Sequence, residues 1–290
     1  EIMEAKTLDL RFRLRGVRKP GDAIVLIIMD EKTESELGRW QSAGRRWLAK
    51  LLTVLHEGRA KVVGFDLTLA EPDEGAVPEA IAALKARYVE HIDRNTAGYA
   101  EMLTDFDAVK AAHDYDRQLA EAIRNAGNVV LGYYLFDVEP ETPLTPEQQA
   151  TQRQSLNRVK YTVIKFPPGT TQPPLRLHQV AGVKLNLPIF SEAALSFGHF
   201  SFPCDRDSYI RRAPLLIDYL GDYYPSLSLE VARASLNRPP PIIQAQGKET
   251  GGNLELIQLG DISIPVDEVG KLLINYYGPE HTFPQYSLSD

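Results

Sequence analysis

Residues 23–73 decide the fold that the sequence predicts, and they read AIVLIIMDEKTESELGRWQSAGRRWLAKLLTVLHEGRAKVVGFDLTLAEPD. Two short apolar runs, residues 23–29 and 61–65, are each followed by an aspartate, Asp30 or Asp66. Between the two runs, apolar side chains recur at the three- and four-residue spacing of an amphipathic helix. Strands that are joined by a helix of this length lie parallel. We therefore predict a parallel strand–helix–strand core, with both aspartates at the same edge of one sheet.

The rest of the chain adds helices and strands to this core. Residues 114–126 predict a helix that Asp114 caps and Gly127 ends, and residues 128–136 predict the strand that follows it. Short strands separated by turns predominate from residue 196 onward. The predicted fold class is α/β: a mixed sheet with the parallel core, flanking helices and a β-rich C-terminal half.

The length of 290 residues fits one large domain or two small ones. We expect residues 1–22 to form a membrane-proximal N-terminal segment, whose alternating pattern fits a strand or a continuing helix. Residues 23–290 are expected to form a single domain that is truncated at its C terminus. Two stretches, at about 70–112 and 137–181, are interpreted as insertions, and the second is rich in proline.

The composition excludes several classes of function. The net charge of −7 argues against a nucleic-acid partner, because neutralising phosphates needs a basic surface. The single cysteine, Cys204, excludes an intramolecular disulfide and a cysteine-rich zinc site, and its thiol is expected to be packed or partly buried. The sequence contains no phosphate-binding glycine loop, dinucleotide fingerprint or H-E-x-x-H motif. We therefore expect no cofactor and no catalytic residues in this part of the protein.

Acidic residues after the two apolar runs are the first candidate site. In open α/β sheets, ligands bind beyond the carboxyl ends of the strands. If the two strands are neighbours, the carboxylates of Asp30 and Asp66 lie within about 5–10 Å of each other. Such a pair suits a hard cation or acid–base chemistry, whereas the alternative is that each aspartate caps the helix or loop that follows. Glu71 and Asp73 belong to the same candidate ligand site.

A second acidic segment, Asp205–Arg206–Asp207, is followed by Arg211 and Arg212. The spacing of the aspartates superficially suggests a calcium loop, but the required glycine and distal glutamate are missing. A turn with an ion pair is the favoured interpretation. Asp207 and Arg211 complete the candidate ligand-binding residues, and the identity of any metal is left open.

Five segments, taken together, resemble a known family. They read IVLIIMDEKTESELGRW, KVVGFDLTLAEPD, IRNAGNVVLGYY, GHFSFPCDRDSYIRRAPLLIDYLGDYYPSLSLEVAR and GKLLINYYGPEHTFPQYSLSD. In this order they resemble the second type of CHASE domain, a family of extracytoplasmic sensory modules of bacterial receptors. The resemblance spans most of residues 23–290. Ser208 stands at a position where the family often has glycine.

The resemblance implies a signal-input domain on the periplasmic or extracellular face of the inner membrane. It implies anchoring by membrane helices outside this sequence, a cytoplasmic output such as an adenylate cyclase or a histidine kinase, and a homodimeric receptor. It brings no known ligand, so a small molecule, an ion and a protein all stay open. The residues themselves leave two alternatives: a metal-dependent α/β enzyme using Asp30 and Asp66, or a protein-interaction or dimerisation module.

Overall fold

The computed structural model of this protein describes residues 2–73, 76–137, 145–205, 207–248 and 251–290. The helices are α1 (Ile2–Arg15), α2 (Glu31–Leu37), α3 (Trp40–Glu57), α4 (Ala76–His91), α5 (Tyr99–Ala112), α6 (Tyr115–Ala126), α7 (Pro146–Leu156), α8 (Pro188–Ala193) and α9 (Leu227–Ser235). The strands are β1 (Leu26–Ile28), β2 (Val63–Phe65), β3 (Val129–Phe136), β4 (Ile164–Lys165), β5 (His178–Gln179), β6 (Gly182–Lys184), β7 (Ser196–His199), β8 (Arg212–Pro214), β9 (Leu216–Tyr219), β10 (Asp222–Pro225), β11 (Pro241–Lys248), β12 (Gly251–Leu259), β13 (Ile262–Pro265), β14 (Lys271–Leu273) and β15 (Gln285–Ser287). The predicted mixed α/β fold class is confirmed.

The central sheet contains the parallel strands β2, β3 and β7, and β6 lies antiparallel to the far half of β3. One face packs against α9 so closely that a Cβ on Gly198 would lie 2.5 Å from the backbone of Ser226. The other face carries large apolar side chains such as Phe65, Leu131 and Phe197, which belong to one buried cluster with residues of α3, α6 and α8. Helices therefore cover both faces of this sheet, which is typical of parallel sheets.

The prediction that β1 and β2 are neighbours in one sheet is wrong. β1 pairs in parallel with β15, so that Leu26 lies opposite Gln285 and Ile28 opposite Ser287. Among the described strands, β2 pairs with β3 alone. The apolar run of β1 predicts a strand, but the partner of a strand depends on contacts between distant segments, which a short run does not specify.

A second buried cluster lies on the antiparallel sheet of β11, β12 and β13. Ile243 and Ile257 face each other across β11 and β12, and both are fully buried. Tyr161 and Leu175, from the second predicted insertion, pack into this cluster. β11 begins at Pro241, the last of three consecutive prolines.

The first predicted insertion, at about 70–112, contains helices α4 and α5. α4 and α5 contact each other through a stack of Tyr88 on Tyr99, with ring centroids 5.3 Å apart, and through the edge of Phe106. Residues 1–22, whose sequence pattern fits either a strand or a helix, contain helix α1. No helix in the described ranges combines the length and the apolar composition needed to cross a membrane.

Candidate functional site

Asp30 caps helix α2. Its Oδ1 accepts a hydrogen bond from the backbone N–H of Thr33 at 2.8 Å, and the Thr33 hydroxyl accepts one from the backbone N–H of Asp30. The hydroxyl of Ser287 on β15 donates to the same carboxylate oxygen at 2.8 Å. The bond from the Thr33 amide and then that from Ser287 hold the pKa of Asp30 below its usual value. The carboxylate therefore fastens α2 to β15.

Replacing Asp30 by alanine is expected to lower Tm by about 2–4 °C, because the cap and the bond to Ser287 are both lost. Asp30→Asn keeps an oxygen acceptor at the same position and should lose less. Glu36→Ala, at an exposed position on the same helix, is the matched control. Thermal unfolding followed by circular dichroism measures the difference. Equal Tm values for the Asp30→Ala and Glu36→Ala variants would contradict the role of this cap.

Asp66 follows β2 and is exposed. The atoms around its carboxyl nevertheless remove part of its hydration, and this desolvation raises the pKa of Asp66. Since β1 and β2 belong to different sheets, the expectation that Asp30 and Asp66 meet at one sheet edge is wrong. Within the described ranges, no group of three or more His, Cys, Asp or Glu side chains is arranged to hold a metal ion. The hypothesis of a metal-dependent enzyme requires Asp30 and Asp66 to lie together at one sheet edge, and the structure does not place them there.

Glu71 and Asp73 are held by an arginine that the sequence analysis did not single out. Arg45 on α3 donates to the backbone carbonyl of Glu71 and forms ion pairs with Asp116 at 2.6 Å and Asp73 at 3.8 Å. The Glu71 carboxylate instead accepts a 2.7 Å hydrogen bond from Lys184, which lowers the pKa of Glu71. The carboxylates of Glu71 and Asp73, which are close in sequence, therefore have different basic partners.

The Arg211 cluster consists of Arg211 with Asp9, Asp205 and Asp207. The side chain of Arg211 is only 5% exposed, and its guanidinium group makes five hydrogen bonds to the three carboxylates at 2.8–3.0 Å. A guanidinium has five N–H groups, so this arrangement uses every donor. The hydrogen bonds of Arg211 lower the pKa of Asp9 and of Asp207. The cluster is a compact ion-paired unit that links distant parts of the chain.

The predicted turn with an ion pair at residues 205–211 is present. The backbone N–H of Asp205 donates to the carbonyl of Tyr209, and that of Ser208 donates to the carbonyl of Asp205. Ser208 has a φ of 64°, in the left-handed region that glycine enters most readily. This backbone conformation gives a physical reason for the glycine that the related family often has here.

The Arg211 cluster attaches α1 to the rest of the molecule, and two further side chains of α1 support it. Arg15 donates to the side-chain oxygen of Asn275 at 2.5 Å and to the backbone carbonyl of Tyr276. Phe12 meets the Tyr276 ring edge-on, with centroids 6.2 Å apart. Asp9 was missed in the sequence analysis, because it lies 202 residues from Arg211 and no local pattern connects the two.

A cleft of about 870 Å³ lies between α7, β6 and the loop before α8. Its lining includes Phe136, Gln148, Gln152, Lys184, Asn186 and Tyr219. Gln152 donates through its amide nitrogen to the carbonyl of Val183, and its buried amide oxygen has no hydrogen-bond partner within the described part of the chain. The volume lies in the range of about 300–1,000 Å³ that is usual for small-molecule sites.

His199 on β7 is fully buried. The hydroxyl of Tyr133, whose ring centroid lies 6.4 Å from that of His199, is also buried and has no hydrogen-bond partner among the described residues. Burial lowers the pKa of His199 to about 3, and it raises the pKa of Tyr133. Cys204, expected to be packed or partly buried, is exposed.

Comparison with known proteins adds a family to this geometry. No curated protein matches the chain. No solved structure matches it either. The model of one family, the CHASE2 domain, matches residues 1–290, which is the full length of the sequence. CHASE2 domains are sensory domains, generally extracellular, and are not catalytic. This chain therefore belongs to the CHASE2 family of sensor domains.

Proposed function

We propose that this chain is the signal-input domain of a bacterial transmembrane receptor. The domain lies on the periplasmic or extracellular side of the inner membrane and passes a ligand-linked rearrangement through membrane helices. The output is a cytoplasmic module such as an adenylate cyclase or a histidine kinase. Membership of a sensory family supports the input role. The attachment of α1 by the Arg211 cluster is the observation that carries the proposal for how the signal leaves the domain.

Hydrogen bonds of defined geometry help to hold α1 in place. Arg211 binds Asp9 on α1 through two nitrogens and binds Asp205 and Asp207 through the other donor positions. A small displacement of the 205–211 turn would break or reorient these bonds rather than stretch them gradually, because hydrogen bonds weaken steeply with angle. We propose that this element has a second arrangement, and that a ligand with different affinities for the two states selects between them.

The proposed ligand site is the cleft beside α7. The lining combines amide and apolar side chains with Glu147 and Lys184, which suits a small molecule that carries hydrogen-bonding groups. Gln152 is one of the amide side chains that line this cleft. One continuous stretch, residues 211–219, contains β8 and β9 and runs from Arg211 to Tyr219 in the cleft lining. A ligand that moves β9 therefore acts on the segment that holds the Arg211 cluster.

Arg211→Gln in the full-length receptor is expected to change basal output activity by at least about fivefold, the lower end of typical coupling free energies. The substitution removes the charge and most donors that hold Asp9. Arg212→Gln is the matched control, because Arg212 is its exposed neighbour and has a long, 3.8 Å contact with Asp267. Output activity in membranes is the measurement, normalised to receptor content. Equal activities of both variants and the unmodified receptor would refute this route of signal transfer.

A further inference from the structure

We propose that β1, together with β15, adds to the open edge of β2 in a second copy of this chain, so that two copies exchange strands and form a dimer. The first observation is the exposure of β1 and its flanks. Residues 24–29 are six consecutive apolar residues, and each is between 36% and 55% exposed. Successive side chains of a strand point to opposite faces. Both faces of β1 are therefore apolar and accessible to solvent.

The free edge of β1 is the second observation. β15 occupies one edge, and no described strand pairs with the other. An exposed apolar strand with an open edge offers unpaired N–H and C=O groups as a template for a further strand. Isolated two-stranded sheets are also marginal in water. The β1–β15 pair thus has both an apolar surface and a hydrogen-bonding edge that remain to be covered.

The third observation is the complementary edge at β2. β2 is the outermost described strand of the central sheet, and Gly64 in its middle is exposed. Helices cover both faces of this sheet. A strand that joined the sheet beside β2 would lie near α9 on one face and near α3 on the other, so it would need apolar residues on both faces. β1 meets this requirement, and its three residues match the length of Val63–Phe65.

A second copy is the occupant that the contacts of β1 favour. Backbone bonds from Leu26 to Pro284 and from Leu288 to Ile28 bind β1 to the C-terminal segment, and Lys32 pairs with Asp290. These contacts hold β1 as one unit with β15, in a sheet separate from its own β2. A second copy in the same conformation presents both a β1 and an open β2. Reciprocal addition covers all four edges and closes as a two-fold dimer.

The exchanged sheet has the order β15–β1 followed by β2, β3 and β7 of the partner copy. The pairings that already exist, β1 with β15 and β2 with β3, are parallel, and the new pairing continues that direction. With Leu26 opposite Val63, the register brings Met29 opposite Asp66. Asp30 of one copy then lies one residue beyond Asp66 of the other.

Sedimentation of the complete 290-residue chain over a range of concentrations tests the dimer. The expected result is a monomer–dimer equilibrium that Ile27→Lys weakens by at least about tenfold in Kd, because the new charge would be buried in the joined sheet. Ile262→Lys is the matched control, since Ile262 is an exposed isoleucine on the edge strand β13. A chain that is monomeric at every concentration, or equal weakening by both substitutions, would overturn the proposal.

Cross-linking distinguishes exchange between copies from closure within one chain. Cys204→Ser removes the exposed natural thiol. In that background, Met29→Cys and Asp66→Cys proteins are prepared separately, mixed and mildly oxidised. Neighbouring strands place Cα atoms within the roughly 4.4–6.8 Å that a disulfide requires. A covalent dimer that forms only in the mixture is expected. A protein that carries both Met29→Cys and Asp66→Cys is oxidised in parallel. If its disulfide forms only within a single chain, β1 pairs with its own β2 and the exchanged dimer is wrong.

Discussion

Glu230→Ala is expected to lower the free energy of unfolding by about 3–5 kcal/mol. Glu230 on α9 is fully buried. Its carboxylate accepts two hydrogen bonds from Arg233, each at 2.8 Å, one from the Tyr161 hydroxyl at 2.8 Å, and one from the Ser196 hydroxyl. Removal of the carboxylate leaves a largely buried guanidinium without its counter-ion, and two hydroxyls without their acceptor.

The position of Glu230 extends this effect beyond one helix. Ser196 belongs to the central sheet, whereas Tyr161 belongs to the second buried cluster, and both donate to Glu230. The carboxylate thus joins the two halves of the core through α9. Loss of this link is expected to affect both clusters at once, so unfolding of the Glu230→Ala variant should remain cooperative while its midpoint falls.

Urea denaturation followed by tryptophan fluorescence and circular dichroism measures the change. Glu121→Ala is the matched control, because Glu121 pairs with Arg117 on the surface of α6 and such exposed pairs contribute about 0–1 kcal/mol. A double variant, Glu230→Met with Arg233→Met, removes both charges and should recover a large part of the lost stability. A Glu230→Ala variant no less stable than Glu121→Ala would contradict the structural role of this carboxylate.

Acidification is expected to destabilise the protein through His199. In the folded protein burial, assisted by the charge of His178, lowers the pKa of His199 to about 3, against an ordinary value of 6.5. Between these values the unfolded chain binds a proton that the folded chain does not. The contribution of His199 is therefore fully present above pH 6.5 and is lost as pH falls towards 3. The slope is about 1.4 kcal/mol per pH unit, or roughly 5 kcal/mol over the whole window.

His199→Leu removes this titration, since leucine has no ionisable group. The free energy of unfolding of the variant should therefore depend less on pH between about 4 and 6, by up to about 1.4 kcal/mol per pH unit. His91→Leu is the matched control, because that histidine is 65% exposed on α4. Urea denaturation at a series of pH values measures both variants. Parallel pH profiles for His199→Leu and the unmodified protein would show that His199 is not the titrating group.

The helices with local start and stop signals were predictable from the sequence. α6 begins after Asp114, whose carboxylate accepts from the Arg117 amide, and ends at Gly127, which has a φ of 69°. α9 begins after Ser226, whose hydroxyl oxygen accepts from the Leu229 amide. These signals lie within a few residues of the helix ends, and the capping hydrogen bonds that they form are equally local. Family membership was likewise predictable, because it rests on the order of segments along the chain.

The candidate site was predictable only in fragments. The sequence predicts a turn with an ion pair near Asp207 and Arg211, and the structure shows that Asp9 and Asp205 bind the same guanidinium. The four acids near residues 30–73 looked like one group, because they follow two similar strands. They separate in the structure, since Arg45, Lys184 and the N-terminus of α2 each bind a different one.

The sequence by itself determined the fold class, the capped helices and the apolar character of β1. Only the tertiary structure decided that β1 pairs with β15 rather than β2, and that Asp9 meets Arg211 across 202 residues. The physical reason is the range of the interactions. Caps and helical periodicity depend on neighbours in the chain, whereas strand partners and buried ion pairs depend on which distant segments the folded chain brings together.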